Sequence, residues 1–197
     1  MSTPCLIYLH GFNSTPQSKK ATQLRDAMTA RGFGEQFACP TLSHWPARAI
    51  ETIEAAIARA GALSNDVPIT LLGSSLGGFY ATHLAEKHAV RAVLVNPAVY
   101  PERDLAKYLG PQQNLYSGER YELTPEHMTQ LKALAVSSVH PERYWLVAET
   151  ADEVLDYREA VNLYAGARQT VIEGGDHTLQ SFPQHIDAIL AFAGFVR

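Results

Sequence analysis

The stretch Gly73-Ser74-Ser75-Leu76-Gly77 fits the pattern Gly-X-Ser-X-Gly with Ser75 at its centre. Ser74 does not fit, because centring on it would require glycine where Leu72 and Leu76 stand. The reason for the pattern is steric. The central serine sits on a sharp, strained turn between a strand and a helix, and side chains two residues either side would collide there. Gly73 and Gly77 remove those side chains, and Gly78 lets the following helix approach the sheet. The turn lifts a hydroxyl above the sheet edge, at the start of a helix whose unpaired N–H groups meet an anion. Two blander uses of Gly-Ser-Ser-Leu-Gly-Gly are a plain strand–helix turn and a phosphate cradle. The run is not Gly-X-Gly-X-X-Gly, and no lysine follows as in a P-loop.

A nucleophilic serine needs a base, and the base needs a carboxylate to orient it. Of eight histidines, His177 stands apart, in Gly174-Gly175-Asp176-His177-Thr178 directly after an apolar run. His83 and His88 fall on the helix after Ser75, His127 and His140 in an irregular stretch, His185 in a late helix, and His44 ahead of any suitable strand. The acid is expected between serine and histidine in chain order. Asp152 is the natural partner, with Glu149 and Glu153 as near rivals; Asp156 reads as a capping or solvated residue and Asp176 as a stabiliser of its own loop. Two backbone N–H groups must then face the charge developing on a substrate carbonyl. Leu76, after the nucleophile, supplies one. The loop His10-Gly11-Phe12-Asn13-Ser14 supplies the other, assigned to Phe12.

These residues require a scaffold of alternating strands and helices. Short apolar runs at 5–9, 69–72, 92–95, 144–148 and 169–172, with a weak one at 36–39, read as six strands. Apolar residues at helical spacing separate them: Ala21, Leu24 and Met28 in a helix started by Thr15-Pro16 and closed by Gly32; Ile50, Ile53 and Ile57 in one ending near Gly61; then helices over 76–85, within 154–164 and around Ile186–Leu190. Continuous rather than alternating apolar runs mean an α/β protein with a mostly parallel sheet covered on both faces. From 100 to 139 the alternation lapses into a polar stretch. Its one expected helix starts at Thr124-Pro125 and carries Met128, Leu131 and Leu134 as an apolar stripe packed onto the domain.

The 197 residues suit a single domain with a small insert, with 46% apolar and 18% charged residues as in globular chains. A net charge of -4 without a basic run argues against nucleic acid. No run of 18 apolar residues suggests a membrane span, and Met1 onward has no basic leader, so a cytoplasmic location without a signal peptide is expected. Cys5 and Cys39 have no metal-binding spacing, and no metal or organic cofactor is required.

The segments "YLHGFNSTPQSKK", "LLGSSLGGFYATHLAEKH", "LVNPAVYP", "ETADEVLDYREAV" and "EGGDHTLQSF" together resemble the small bacterial esterases of the YqiA type, in the α/β-hydrolase superfamily, over nearly the whole chain. One departure is Ala151, where glycine is expected before the acid. The resemblance implies ester hydrolysis through Ser75, Asp152 and His177, a compact sheet in the order 2-1-3-4-5-6, and a cap-like insert at 100–139. In that sheet Cys5 and Cys39 lie about four residues of rise apart, roughly 13 Å, too far for a disulfide. His177 would take the Ser75 proton, an acyl-enzyme would form, and water would release the acid. The polar insert offers little apolar wall for a long chain, so a small acyl ester of short chain is expected, with Phe12, Trp45 and Tyr100 as aromatic candidates for a shallow acyl site. The same residues would serve a thioesterase, peptidase or amidase, and a silent binding module would keep only the fold.

Overall fold

The structure, a computed structural model, describes residues 4–62 and 67–195. Residues 1–3, the start of the stretch expected to carry no leader, lie outside the described residues. Six parallel strands form the main sheet: β1 (Cys5–Leu9), β2 (Phe37–Ala38), β3 (Ile69–Ser74), β4 (Arg91–Val95), β7 (Tyr144–Glu149) and β8 (Arg168–Ile172), in spatial order β2-β1-β3-β4-β7-β8. This is the expected order, with two insert strands numbered between β4 and β7. The central strands bury nearly every side chain, Leu6, Ile7, Leu72, Val93 and Leu146 completely. Each such side chain contributes roughly 1.5–3 kcal/mol relative to exposure.

Two helical layers cover the sheet. On one face α2 (Pro46–Ala62), α3 (Leu76–His88) and α6 (Tyr157–Leu163) bury Ile53, Phe79, Leu84 and Ala160 against Ile7, Leu71 and Leu94. On the other, α1 (Lys19–Ala30) and α7 (Phe182–Phe192) set Leu24, Met28, Phe182 and Ile189 against Leu6, Tyr8 and Trp145. No described helix is long and apolar enough to cross a membrane.

Local chemistry moves several boundaries. α1 starts at Lys19 with Ser18 at its N-cap, not at Thr15-Pro16. Thr15 is buried in a turn, its Oγ1 accepting from Gln17 N–H and its carbonyl from Ser18 N–H. Gly32, at φ +80°, closes α1 as expected, and Phe33 N–H reaches back to Met28 O. Only Phe37 and Ala38 pair as β2, since Gln36 is held in a 3₁₀ turn (Gly34–Gln36). α6 starts at Tyr157, because the Asp152 carboxylate takes the Val154 and Leu155 N–H groups and Asp156 caps Arg158 N–H. The register sets Ala38 against Ile7, so Cys39 lies about three residues of rise beyond Cys5, and both thiols are free.

The segment 100–139 is more ordered than its sequence suggests. It holds α4 (Pro101–Leu105), an antiparallel hairpin of β5 (Gly110–Gln113) and β6 (Arg120–Leu123), and α5 (Pro125–Leu134). Thr124 and His127 form a reciprocal capping box at the start of α5. Leu131 is buried in the core, with Met128 and Leu134 packed against it.

Candidate active site

Ser75 lies between β3 and α3 at φ 55° and ψ -122°, a conformation that costs a non-glycine residue energy. Main-chain bonds hold it there: its N–H donates to Val95 O at 3.0 Å, and its carbonyl accepts from Gly78 at 2.8 Å and Ala98 at 3.1 Å. The glycines around it answer to different neighbours than the motif's symmetry suggests. A Cβ on Gly73 would lie 2.3 Å from Gly77 O, and one on Gly77 2.0 Å from Leu9 O. Gly77 therefore lets α3 press against the end of β1 rather than clearing space around Ser75. Gly78 faces Pro97, in the turn after β4.

His177 Nε2 lies 3.0 Å from Ser75 Oγ, and its Nδ1 lies 2.8 Å from Asp152 Oδ2. The Asp152 side chain is 2% exposed and that of His177 20%. Nδ1–H donating to the carboxylate leaves Nε2 as acceptor for the serine proton. The rival acids serve the backbone of the same loop. Glu153 accepts from His177 N–H at 3.0 Å. Glu149, buried, accepts from Asp176 N–H at 2.8 Å and from Ser181 Oγ at 2.7 Å. Asp176 accepts from Thr178 and Gln180. Ala151 needs no glycine: it is exposed, has no positive φ, and donates its N–H to Gly174 O at 3.0 Å.

Two supports were not singled out from the sequence. Asn96, at the end of β4 with φ 40°, accepts from Glu149 N–H and donates Nδ2 to the Asp176 and His177 carbonyls at 3.0 and 3.2 Å. It clamps the histidine loop to the acid strand. The only outward sign was the break at Asn96-Pro97. His10, buried, accepts Leu42 N–H on Nε2 at 3.0 Å, which puts its proton on Nδ1, 3.1 Å from Gly11 O. Burial lowers its pKa from the ordinary histidine value. It thereby fixes the loop that carries Phe12. A Cβ on Gly11 would stand 3.2 Å from that of Ser75, so this loop lies directly on the serine. The Phe12 and Leu76 N–H groups make no hydrogen bond to another described residue.

Two cavities meet at Ser75, His177 and Phe12. One of about 360 Å³ has an apolar wall of Leu76, Ala98, Pro101, Leu105, Tyr108 and Leu155. The other, about 520 Å³, has a mixed wall in which Ser14, Lys19, Lys20, Gln23 and Gln180 stand beside Tyr8, Tyr116 and Leu179. Trp45 and Tyr100 line neither. The Trp45 ring stacks on His127 at 3.8 Å, and Tyr100, beside α4, is covered by the Arg103 guanidinium at 5.1 Å. Their nearness to strand ends did not bring them to the serine, because each packs on a partner in the insert. Four other histidines are engaged elsewhere, His88 with Glu54, His140 with Glu86, His44 with Glu119 and His83 with Leu134 O, and His185 lies in α7.

The model of an uncharacterised protein family, UPF0227, matches residues 5–194. Among solved structures, the chain is similar to alpha/beta hydrolase domain-containing protein 10 from mouse, at TM-score 0.72 and 15% identity over 98% of this chain and 91% of that one. It is similar to Est1E from Butyrivibrio proteoclasticus at TM-score 0.69 and 16% identity, over 98% and 87%. An alpha-beta serine hydrolase homologue from Coxiella burnetii matches at TM-score 0.62 and 16% identity, over 100% and 85%. At these identities the likeness is one of fold, and the fold is that of the α/β-hydrolases.

Proposed function

We propose, from the premise that the chain belongs to the UPF0227 family, that it is a serine hydrolase cleaving short-chain carboxylic esters. The observation that carries this is the continuous line from Asp152 through His177 to Ser75, at 2.8 and 3.0 Å, ending where two cavities meet. Ser75 is the nucleophile, His177 the base and Asp152 the orienting acid. His177 Nε2 takes the Ser75 proton as Oγ attacks the ester carbonyl. The oxyanion that forms is received by the N–H groups of Phe12 and Leu76. His177 returns the proton to the departing alcohol, leaving an acyl-enzyme. Water, deprotonated by the same imidazole, releases the acid and restores Ser75.

The segment 100–139 acts as a small cap within a single domain, with Pro101, Leu105 and Tyr108 giving the acyl cavity part of its wall. Its volume of about 360 Å³ suits a short acyl group. The test is labelling with a fluorophosphonate, mapping of the modified residue, and a chain-length series of 4-nitrophenyl esters. Modification at Ser75 and higher kcat/KM for butyrate than for palmitate are expected. No labelling at Ser75, or a kcat/KM that climbs steadily to ten or more carbons, would overturn the reading.

A further inference from the structure

The larger cavity beside Ser75 plays no part in the chemistry above, and its walls are unusual for a pocket. Two lysines line it, Lys19 and Lys20, and no carboxylate does. We propose that this cavity receives a second anionic group, a carboxylate or phosphate, carried by the ester substrate away from the scissile carbonyl. The proposal rests on Ser75 being the nucleophile, since the cavity reaches the reacting bond through that residue.

Lys20 is the centre of it. Its ammonium donates to Thr178 O at 2.6 Å, which uses one of three N–H donors. It forms no ion pair with a described carboxylate. Asp176, Glu149 and Asp152 are close enough to favour its charge, but their oxygens are engaged by Thr178 and Gln180, by Asp176 N–H and Ser181, and by His177. Desolvation outweighs them and lowers the Lys20 pKa to about 8. Lys20 is half-buried, and a partly desolvated cation without a direct counter-charge gains from an incoming anion.

The placement on α1 points the same way. Lys19 and Lys20 are the first two residues of a 12-residue helix that has no acidic residue in its first turn and no side-chain cap from Ser18. Cations at a helix N-terminus oppose the macrodipole, whereas an anion there is favoured by the dipole, the N–H groups and both lysines together. Ser14, Gln23 and Gln180 add neutral donors to the wall. The second cavity offers no such set. Its Lys107 lies over the Tyr108 ring at 5.1 Å, and it is also lined by Asp104, which pairs with Arg103.

The test is steady-state hydrolysis of matched esters by the full chain at pH 7. On the alcohol side, butyrate esters of glycolate and of 2-hydroxyethyl phosphate are compared with that of methyl glycolate. On the acyl side, 4-nitrophenyl hydrogen adipate is compared with its methyl ester. At least one anionic ester should lead its neutral partner in kcat/KM by roughly tenfold, the scale of one charge-assisted hydrogen bond. Which one leads identifies the anion and the arm that carries it. The lead should shrink to within about twofold in Lys20→Gln, persist in Lys20→Arg, and fall in Lys19→Glu, a variant on the exposed side of the cavity. Equal rates on anionic and neutral esters, or a lead unchanged in both Lys20→Gln and Lys19→Glu, would overturn the proposal. Equal losses on both ester types in Lys20→Gln would instead make Lys20 a positioning residue for the His177 loop, which also overturns it. If no ester is hydrolysed and fluorophosphonate leaves Ser75 unmodified, the serine-hydrolase reading itself fails and takes this proposal with it.

Discussion

The two sides of the site are built in opposite ways. On the sheet side, Ser75, Asp152 and His177 stand on turns at strand ends, and hydrogen bonds to the Val95 and Gly174 carbonyls and to the Asn96 and Glu149 side chains hold those turns. On the other side, the segment 100–139 offers short elements with exposed faces, Tyr108 and Leu109 each 44% exposed. The sheet side fixes atoms to within a hydrogen bond, as proton transfer demands. In the proposed reaction the insert has only to exclude water and fit a shape. Changes on the sheet side should therefore act on turnover, and changes in the insert on the choice of substrate.

The largest test of that contrast is Ser75→Ala, which should lower kcat for 4-nitrophenyl butyrate by about 10⁶, while Ser74→Ala keeps substantial activity. Equal, near-total losses would mean that the two serines work as one unit. Asp152→Asn should follow at roughly 10⁴, since an amide favours the wrong imidazole tautomer. A greater loss in Glu149→Gln than in Asp152→Asn would move the acid. Asn96→Ala releases two hydrogen bonds of the histidine loop and one from Glu149 N–H on β7. A drop in kcat of about 10–100-fold is expected, with KM moving less; an effect confined to KM would break the division between the two sides. In the insert, Leu105→Ala should reduce the butyrate-to-acetate ratio of kcat/KM by about two- to fourfold, near the effect of one buried methylene. An unchanged ratio would show that acyl groups do not touch α4.

The smallest effect concerns His10. Burial holds its folded-state pKa below the unfolded value. On acidification the unfolded chain takes up this proton first, so stability should fall as pH drops below about 6.5, until the lower folded pKa is reached. Urea unfolding between pH 7 and 5 should show a shallower fall in His10→Gln. Equal slopes would mean that the His10 imidazole does not carry the sensitivity.

The same contrast explains what could be read before folding. Ser75 and His177 were legible because a strained turn demands glycines at fixed spacing and because each follows an apolar strand. Asp152 was the acid preferred from its place in the loop, with Glu149 and Glu153 as near rivals; what local pattern could not record is that Glu149 turns into the core and Glu153 toward a main-chain N–H. The hairpin in the insert left no periodic signal: Gly110–Gln113 and Arg120–Leu123 are four residues each and mostly polar, paired by main-chain bonds rather than by an apolar face. Trp45 and Tyr100 were misplaced for a related reason. A loop's distance from a site depends on what folds between them, and no spacing records that. Asn96 and Lys20 act through contacts 80 and 158 residues away in sequence, beyond the reach of local pattern.

The hairpin is not independent of the chemistry it borders. Tyr121 Oη donates to Asn13 Oδ1 at 2.7 Å, Asn114 Nδ2 donates to Ser14 O at 3.1 Å, and Asn13 Nδ2 reaches Gln112 Oε1 at 3.4 Å. These bonds fasten the outer wall to the loop that carries Phe12, whose N–H is the proposed oxyanion donor. A substrate group that pushes on the hairpin thus loads the same tether that aims the amide. Attraction gained far from the carbonyl has a mechanical route to the transition state, and it can be expressed as faster turnover instead of tighter ground-state binding.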